Sequence, residues 1–566
     1  MSGSTGRPYR FFDLPLSRWI VVMLIALLLL APIFELVLAS FTFDAAASGA
    51  DRFANWRESF SDPRIVGATL NTISLSLGRQ AISLLIGVFI AWLIARTNLP
   101  ARGWIEVGFW IALFMPALPL VLAWILVFGM INAGLQAVFP TMDAALDIYS
   151  WWGIVWVHLV TSTIAVKVFL VVPAFKAIDS SLEEAARTSG ASLWATFGQI
   201  SLPLIIPTLL VVTIVGLVRS MQAFEVELVL GAPIDLEVYS TVIYRAMSQE
   251  PPLTGQATTL SIALLLAVAP LVYLQERMAR RRRAGALSGR FSNRVQNLGR
   301  ARWPLFFMVA GLLAVMTVVP MVLLMMATFM KVFGIFDLAN PWTLDNWTAA
   351  FLRGDIVRAL VNTLKLGFSA AAIGMILFTG LAYAALHWRG RARQVLDFVT
   401  WVPALVPGVI LSLGLLLMFS GVPFLRPLYG TMTVLVVAIL FSTITIGTQL
   451  TKGGLAQLGA ELEEAGRACG ASFFFRIRRI VLPLIAPTIA VVGLEIFATA
   501  NAAVGIVSLL STGVTEPLSL LQLNLLNAGK LESAAVVGIV IATLTIGSAL
   551  LARSIATRTG VGRYAR

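Results

Sequence analysis

The segment EEAARTSGASLWATFGQISLPLIIPT, Glu183–Thr208, returns as EEAGRACGASFFFRIRRIVLPLIAPT, Glu463–Thr488, 280 residues further along the chain. About half of the 26 positions are identical in the two copies. Both copies begin with a pair of glutamates and are more polar than the apolar sequence that surrounds them. The repeat therefore predicts two homologous halves, each of which presents one such segment.

The composition predicts that lipid is the solvent for most of the chain. Hydrophobic residues make up 58% of the sequence and charged residues only 12%, with a mean hydropathy of +0.89. That leaves too little polar surface for a water-soluble protein. The net charge of +13 comes from arginines in short loops between apolar runs, which favours membrane orientation over a nucleic-acid partner. The single cysteine, Cys469, excludes an internal disulfide.

About twelve apolar runs are long enough to cross a bilayer, since a helix needs about 20 residues to do so. Six precede and six follow one interruption. The predicted spans are 19–41, 68–95, 105–131, 151–173, 204–230 and 256–274, then 303–329, 359–386, 395–420, 428–450, 484–510 and 534–552. The predicted fold class is an all-α polytopic membrane protein.

The interruption, Glu276–Arg302, holds nine arginines and no lysine. By the positive-inside rule this linker is cytoplasmic, and six spans on each side of it place both termini in the cytoplasm as well. The basic loops 95–103 and 387–393 fall on the same side. The predicted organisation is a first domain at 1–275, a linker at 276–302 and a second domain at 303–566.

Two further pairs of similar segments extend the repeat into the predicted spans. LNTISLSLG (70–78) resembles VNTLKLGFS (361–369), and MPALP (115–119) resembles VPALVP (402–407). Because each half crosses the membrane an even number of times, both halves enter it from the same side. The repeats are therefore parallel, and the interface on their pseudo-two-fold axis is the expected substrate path.

Each Glu-led segment predicts a helix, a glycine turn and a second short helix that leads to a proline. In the first copy Ser180 is the expected N-cap and Glu183 completes a capping box. Gly190 turns the chain, and Pro203 begins the next span. The second copy has Gly459 in place of a Ser cap, Gly466 in place of an alanine, and Gly470 at the turn. Exposed glutamates in both copies favour a docking surface over a loop preserved only by ancestry.

These residues resemble the EAA motif of permease subunits of bacterial ATP-binding-cassette importers. Two sets at the same spacing carry the resemblance: Glu183, Glu184, Ala185, Ala186 and Gly190, and Glu463, Glu464, Ala465, Gly466 and Gly470. Only Gly466 departs from the pattern. The resemblance covers the whole chain as two fused permease domains of the type I importer fold, with coupling loops at 179–203 and 459–483.

That resemblance implies three partners: two copies of a cytoplasmic ATPase subunit, a periplasmic substrate-binding protein and the lipid bilayer of the inner membrane. In the family the segment docks on the ATPase, so Glu184 and Glu464 are expected to meet its basic groups. This chain has no G-x-x-x-x-G-K-[ST] phosphate loop, so ATP hydrolysis is expected on the separate subunits, and the chain is expected to need no cofactor of its own.

Ionisable residues inside the predicted spans are candidates for the translocation path, because their burial in lipid is costly. They include Arg79, Arg219 and Glu495. Glu225 and Glu227, just beyond Arg219, are expected to approach the periplasmic mouth, where they could contact substrate or the binding protein. Arg219 and Glu495 lie about one turn apart in corresponding helices, so they could pair across the axis as a gate. The alternative is that each is satisfied within its own half. For His158 a buried hydrogen bond is favoured over a proton relay.

The cargo is the least determined property. Fused permeases of this length with RSMQAFEVELVLGAP (219–233) and VYSTVIYRAM (238–247) resemble the ferric-iron importer group. Related permeases carry 2-aminoethylphosphonate, phosphorylated sugars, thiamine or polyamines. No metal-ligand cluster is visible in the sequence, and Arg79 and Arg219 would suit an anion. An ion-coupled secondary transporter is the alternative class, and a channel is disfavoured because no filter motif is present.

Overall fold

The computed structural model describes residues 15–43, 51–139, 146–283, 295–335, 340–352, 354–388 and 390–558. Within these ranges the regular secondary structure is helical, and the turns and loops between helices contain two isolated β-bridges. Eleven described helices are long and apolar enough to span a membrane, and one bent helix pair supplies the twelfth crossing. The predicted all-α, twelve-span membrane architecture is confirmed.

We number the spans 1 to 12 in chain order. In the first half they are Arg18–Ser40, Pro63–Arg96, Ala117–Val138, Trp151–Lys176, Leu193–Met221 and Thr254–Gln275. In the second half they are Gly299–Ala327, Gly354–His387, the bent pair Arg391–Leu405 and Gly408–Gly421, Met432–Ala456, Phe473–Ala502 and Leu531–Arg558. A further helix, Arg102–Leu113, precedes span 3.

Spans 5 and 11 differ from their predicted bounds in the same way. Both begin before the predicted start, because the second short helix of each Glu-led segment runs into the span through a π-helical turn, Phe197–Ser201 or Ile477–Val481. Both also end earlier. Residues 222–230 and 503–510 leave the span, and the first of these segments forms a separate helix, Glu225–Gly231. Apolar composition alone does not distinguish a crossing from a segment that folds back.

The two halves exchange their first spans. Span 1 packs against span 6 of its own half and against both parts of span 9 in the other half. Span 7 likewise packs against span 12 and against span 3 of the first half. The exchange requires close backbone approach: a Cβ at Gly414 in span 9 would lie 2.7 Å from the Pro32 carbonyl oxygen of span 1.

The repeated Asn-Thr pair of spans 2 and 8 anchors the segment that precedes the last span of each half. Asn71 Nδ2 donates to the Glu237 carbonyl at 3.0 Å, and Thr72 Oγ1 accepts from the Tyr239 amide at 3.1 Å. In the second half Asn362 donates to the Glu516 carbonyl at 3.1 Å. Thr363 accepts from the amide of Leu518 at 2.8 Å. The similar segments 70–78 and 361–369 thus make the same contact, once in each half.

Candidate functional site: the EAA helices and the central cavity

The Glu-led segments form two short helices, which we call the EAA helices: Ser180–Thr188 and Ala460–Ala468. Each follows the fourth span of its half and precedes the fifth, so both lie on one side of the bundle, the EAA side. Asp179, and not Ser180, caps the first helix, since its carboxylate accepts from the Ser181 amide at 3.0 Å. Both helices end at a glycine with positive φ, +91° at Gly190 and +75° at Gly470, a conformation that glycine adopts without strain.

Glu183 is buried, which corrects the expectation that both leading glutamates are exposed. Its side chain accepts from Arg96 Nε and Nη2 at 3.0 and 2.5 Å. Ser201 Oγ donates to the same carboxylate at 2.6 Å. Arg96 is the last residue of span 2 and also donates to the Ile178 carbonyl at 3.1 Å. Glu183 therefore ties the first EAA helix to spans 2 and 5, and it does not complete a capping box.

Glu463 holds the second EAA helix through different partners. Tyr383 Oη donates to its carboxylate at 2.9 Å, and His387 Nε2 lies 3.1 Å from the other oxygen. His387 ends span 8 as Arg96 ends span 2, at the 291-residue spacing that relates the two Asn-Thr pairs. The His387 side chain is 39% exposed, whereas that of Arg96 is fully buried. The second attachment is therefore the more solvated of the two.

At matching positions, the exposed surface of each EAA segment combines a glutamate with two apolar side chains. Glu184, Ala185, Glu464 and Ala465 are exposed, and Ala186 and Gly466 are partly buried. Leu182 and Leu462 are each 48% exposed, and Trp194 and Phe474 are 56% and 71% exposed. Sequence reasoning focused on the glutamates and missed these apolar positions. The signal was present, because they recur at the same 280-residue spacing.

Gly466 departs from the EAA pattern because the neighbouring side chain is larger in the second copy. A Cβ at Gly466 would lie 3.1 Å from Arg476 Cδ and 3.1 Å from Ile480 Cδ1. In the first copy the residue at the Arg476 position is Thr196, and Ala186 occupies the Gly466 position. Arg476 is buried and donates to the Ala471 carbonyl at 2.8 Å. Gly466 thus makes room for a buried arginine.

A cavity of about 920 Å³ lies between the two halves. The first half contributes the end of span 5, the residues after it, and Gln275 of span 6. The second half contributes the bend of span 9, span 10, and the end of span 11. Its polar lining consists of Arg219, Gln222, Glu225, Gln275, Ser442, Thr445, Gln449 and Thr499. Polar side chains at a cavity between otherwise apolar helices suit the passage of a hydrophilic solute.

Arg219 faces this cavity, but the predicted ion pair with Glu495 is not formed in the described part of the chain. Glu495 instead accepts a hydrogen bond from Thr499 Oγ1 at 3.3 Å. Its second carboxylate oxygen is buried without a partner. Thr499 occupies the position that Arg219 occupies in the first half. The cavity wall therefore holds one arginine that forms no ion pair.

Glu225 also lines the cavity, near the pseudo-two-fold axis. Its carboxylate interacts with the backbone amide of Gly505, the residue at the equivalent position of the second half. A Cβ at Gly505 would lie 3.2 Å from Phe224 Cδ1. The contact between equivalent positions marks where the two repeats meet.

Arg79 and Glu227 lie away from the cavity, in a buried cluster within the first half. Arg79 Nη1 pairs with Glu227 Oε1 at 3.1 Å, and His158 Nε2 lies 2.8 Å from the same oxygen. Arg79 also donates to the Ser220 carbonyl. These contacts give His158 the buried hydrogen bond that the sequence favoured. They join spans 2 and 4 to the helix Glu225–Gly231, so neither Arg79 nor Glu227 reaches the cavity. Within the described residues no cluster of three His, Cys, Asp or Glu side chains could hold a metal ion.

The fold and the site define a multi-pass membrane protein of two parallel repeats, with an EAA helix in each repeat and a polar cavity between them. The chain belongs to the family of binding-protein-dependent transport system inner membrane components, whose model matches residues 83–284 and 376–561. It is thus a fused, two-domain permease of the type found in ATP-binding-cassette transporters.

The relatives that this chain resembles are named for the transport of different substrates. A probable ABC transporter permease protein of Sinorhizobium fredii is 26% identical, with 76% of this chain and 77% of the relative covered. A putative ferric transport system permease protein of Haemophilus influenzae is 27% identical, covering 56% of this chain and 50% of the relative. A putative 2-aminoethylphosphonate transport system permease protein of Salmonella typhi is 30% identical over 152 residues, which cover 26% of this chain and 56% of the relative. The chain thus spans about half the length of the latter two.

Proposed function

We propose that this permease belongs to an ATP-driven importer in the bacterial inner membrane, with the EAA side in the cytoplasm. Two copies of an ATPase subunit dock on the EAA helices, and a periplasmic binding protein delivers cargo to the opposite side. Residues 1–275 and 303–566 are the two permease domains, and 276–302 is a cytoplasmic linker that leaves both termini inside. ATP is hydrolysed on the partner subunits, whose movement rocks one half against the other.

The observation that supports two ATPase subunits is that each half exposes the same kind of surface at its EAA segment. Leu182 with Trp194, and Leu462 with Phe474, expose apolar side chains beside exposed glutamates at matching positions. Exposed apolar groups flanked by charge are typical of protein interfaces. Because the surface occurs once in each half, it fits a partner that binds in two copies.

The docking proposal is tested with a charge-reversed variant, Glu184→Lys with Glu464→Lys, in the full-length chain co-expressed with the ATPase. We expect the ATPase to be lost from the purified complex while the permease still inserts, because like charges at an interface are repelled. The matched control is Glu58→Lys with Glu250→Lys, which changes two exposed glutamates on the opposite side. Retention of the ATPase by the EAA variant contradicts the docking assignment.

The energy source separates this importer from an ion-coupled transporter. Proteoliposomes that contain the permease, the ATPase and the binding protein are expected to accumulate cargo with ATP and without an ion gradient. Uptake that follows a proton gradient in the absence of the ATPase supports the secondary-transporter alternative. The buried Arg79–Glu227–His158 cluster would then be the group to examine for proton transfer.

Ferric iron is the proposed cargo, on the basis of the relatives named for ferric transport. The iron is a transported substrate here, so the permease needs no resident metal site. A specific observation favours a second candidate, an organophosphonate or a related anion: Arg219 faces the cavity, and a relative is named for 2-aminoethylphosphonate. Competing uptake of radiolabelled Fe³⁺ and 2-aminoethylphosphonate in the reconstituted system decides between them.

A further inference from the structure

Gln222 forms a hydrogen-bonded contact between the two halves. It is the residue that follows span 5, at the end farthest from the first EAA helix. Its Nε2 donates to the carbonyls of Leu405 at 3.1 Å and Ala404 at 3.4 Å, both in span 9 of the other half. One amide group of the first half thus bonds two backbone oxygens of the second.

Those oxygens are available because span 9 breaks at this point. Its two parts, Arg391–Leu405 and Gly408–Gly421, meet at 108°. Pro407 has no N–H, and the bend takes the following residues out of the helical hydrogen-bond ladder, so the last carbonyls before the break lack helical donors. A side-chain amide can satisfy such carbonyls, and Gln222 does so from across the interface.

The contact lies at one end of the central cavity. The opposite end is lined by Gln275 at the end of span 6 and by Gln449 in span 10, both near the EAA side. Gln222 therefore bonds the two halves at the end of the cavity that faces away from the EAA helices. If this end opens during transport, the Gln222 hydrogen bonds to Ala404 and Leu405 must break.

Among the residues that the structure describes, the contact has no counterpart on the other side of the pseudo-two-fold axis. Ala502 occupies the Gln222 position in the second half. In the first half the segment that matches Ala404 and Leu405 is Ala117-Leu118, which begins the helix of span 3 instead of ending one. This particular hydrogen-bonded contact is thus made by one glutamine and is not repeated by symmetry.

We propose that Gln222 is a positioning residue that holds the cavity closed on the side away from the EAA helices. It does so by bonding span 5 of one half to the broken span 9 of the other. Removal of the donor releases span 9 and raises the share of molecules that open to the opposite side. The inference deepens the proposed importer function and rests on it, because alternating access is what a transporter requires.

The test measures how fast a membrane-impermeant thiol reagent, added on the side opposite the EAA helices, modifies a cysteine in the cavity. The protein is the full-length chain with its ATPase in right-side-out vesicles. Cys469→Ser removes the native thiol and installs the residue found at the equivalent position, Ser189. Ser442→Cys places the reporter in the cavity wall.

We expect Gln222→Ala to raise the modification rate about tenfold, the effect of weakening a closed state by about 1.4 kcal/mol. Gln222→Glu should act in the same direction, because an ionised carboxylate cannot donate to a carbonyl. The matched control is Gln136→Ala, which removes an exposed amide on the same side of the protein but outside the cavity and should leave the rate unchanged. Labelling from the EAA side, measured in inverted vesicles, confirms that each variant is folded.

An unchanged rate in both Gln222 variants overturns the proposal, as does an equal rise in Gln136→Ala. A failure of the proposed function is a different result. ATP-driven uptake by the chain with native Gln222 is measured in the same preparation, and its absence counts against the importer while the sided labelling still reports on Gln222.

Discussion

At the scale of single residues, two adjacent glutamates have opposite environments. Glu183 is buried against Arg96 and Ser201, whereas Glu184 is exposed on the same helix. Consecutive helical residues point about 100° apart, so one of the two must turn towards the spans. The sequence predicted the helix but not which glutamate turns inward, because Arg96 lies 87 positions away in the chain.

Glu183→Gln is expected to destabilise the permease strongly. It leaves the Arg96 guanidinium buried without its counter-charge, which typically costs about 3–5 kcal/mol. The measurement is the free energy of unfolding of the purified chain, or its melting temperature in one mild detergent. Glu463→Gln should cost only about 1 kcal/mol, because its partners are a tyrosine hydroxyl and a partly exposed imidazole. Equal losses in the two variants would contradict the asymmetry of the attachments.

A second residue-scale prediction concerns Gly466. Alanine normally stabilises a helix by about 1 kcal/mol relative to glycine, but here its Cβ would press on Arg476 and Ile480. We expect Gly466→Ala to give no gain or a loss in unfolding free energy. In an Arg476→Thr background, which restores the first copy's residue, the same substitution should stabilise the chain.

The four proteins of this double-mutant cycle give the coupling between positions 466 and 476, with an expected size of about 1–2 kcal/mol. The control is Ala186→Gly in the first EAA helix, which should cost about 1 kcal/mol because only helix propensity changes. Additive effects at positions 466 and 476 would show that Gly466 does not accommodate the arginine.

At the scale of helices, apolar runs predicted the number of spans, because a crossing requires a long run and few charges. They did not predict the bend of span 9 or the ends of spans 5 and 11. Segments that fold back into the protein are as apolar as the spans they follow. Which helices touch was also beyond the sequence, since the contacts depend on small residues whose partners lie on other spans.

Spans 2 and 4 of the first half, and spans 8 and 10 of the second, pack through reversed pairs of small and large residues. A Cβ at Gly87 in span 2 would lie 2.4 Å from Lys167 Cβ in span 4. In the second half a Cβ at Gly447 in span 10 would lie 2.2 Å from Phe378 Cδ2 in span 8. Phe378 matches Gly87, and Gly447 matches Lys167, at the repeat spacings. The glycine of the pair thus lies on the second span in the first half and on the fourth span in the second half, and the two spans are in close contact in both halves.

Gly447→Ala is therefore expected to destabilise the second half by about 1–3 kcal/mol, the usual cost of overpacking. Thermal unfolding in detergent measures the loss. Phe378→Leu should recover part of it by making the partner smaller. Gly453→Ala, in the same helix with open space around it, is the matched control and should stabilise by about 1 kcal/mol. A loss at Gly453 as large as that at Gly447 would assign the effect to the helix and not to the contact with Phe378.

At the scale of the whole molecule, the exchange of first spans makes each half structurally dependent on the other. Sequence parity predicted parallel repeats but could not show this exchange, because each half has the same six spans with or without it. Span 1 meets span 9 at Pro32 and Gly414. The helix before span 3 meets span 7, where a Cβ at Gly108 would lie 2.9 Å from Leu313 Cδ1. We therefore expect that the covalent linker is not needed to hold the halves together.

A protease site inserted in 284–294, which lies outside the described residues, tests this dependence. After cleavage we expect the two fragments to co-elute in size-exclusion chromatography and to retain uptake, since the exchanged spans keep their contacts. Gly414→Leu should allow the cleaved halves to separate, because a leucine at this position displaces span 1 from span 9. Gly421→Leu is the control in the same helix, because a Cβ at Gly421 would have no neighbouring atom of another segment within 4 Å. The cleaved halves of this variant should stay together. Separation of the cleaved halves without any substitution would mean that the linker, and not the exchanged spans, holds the molecule together.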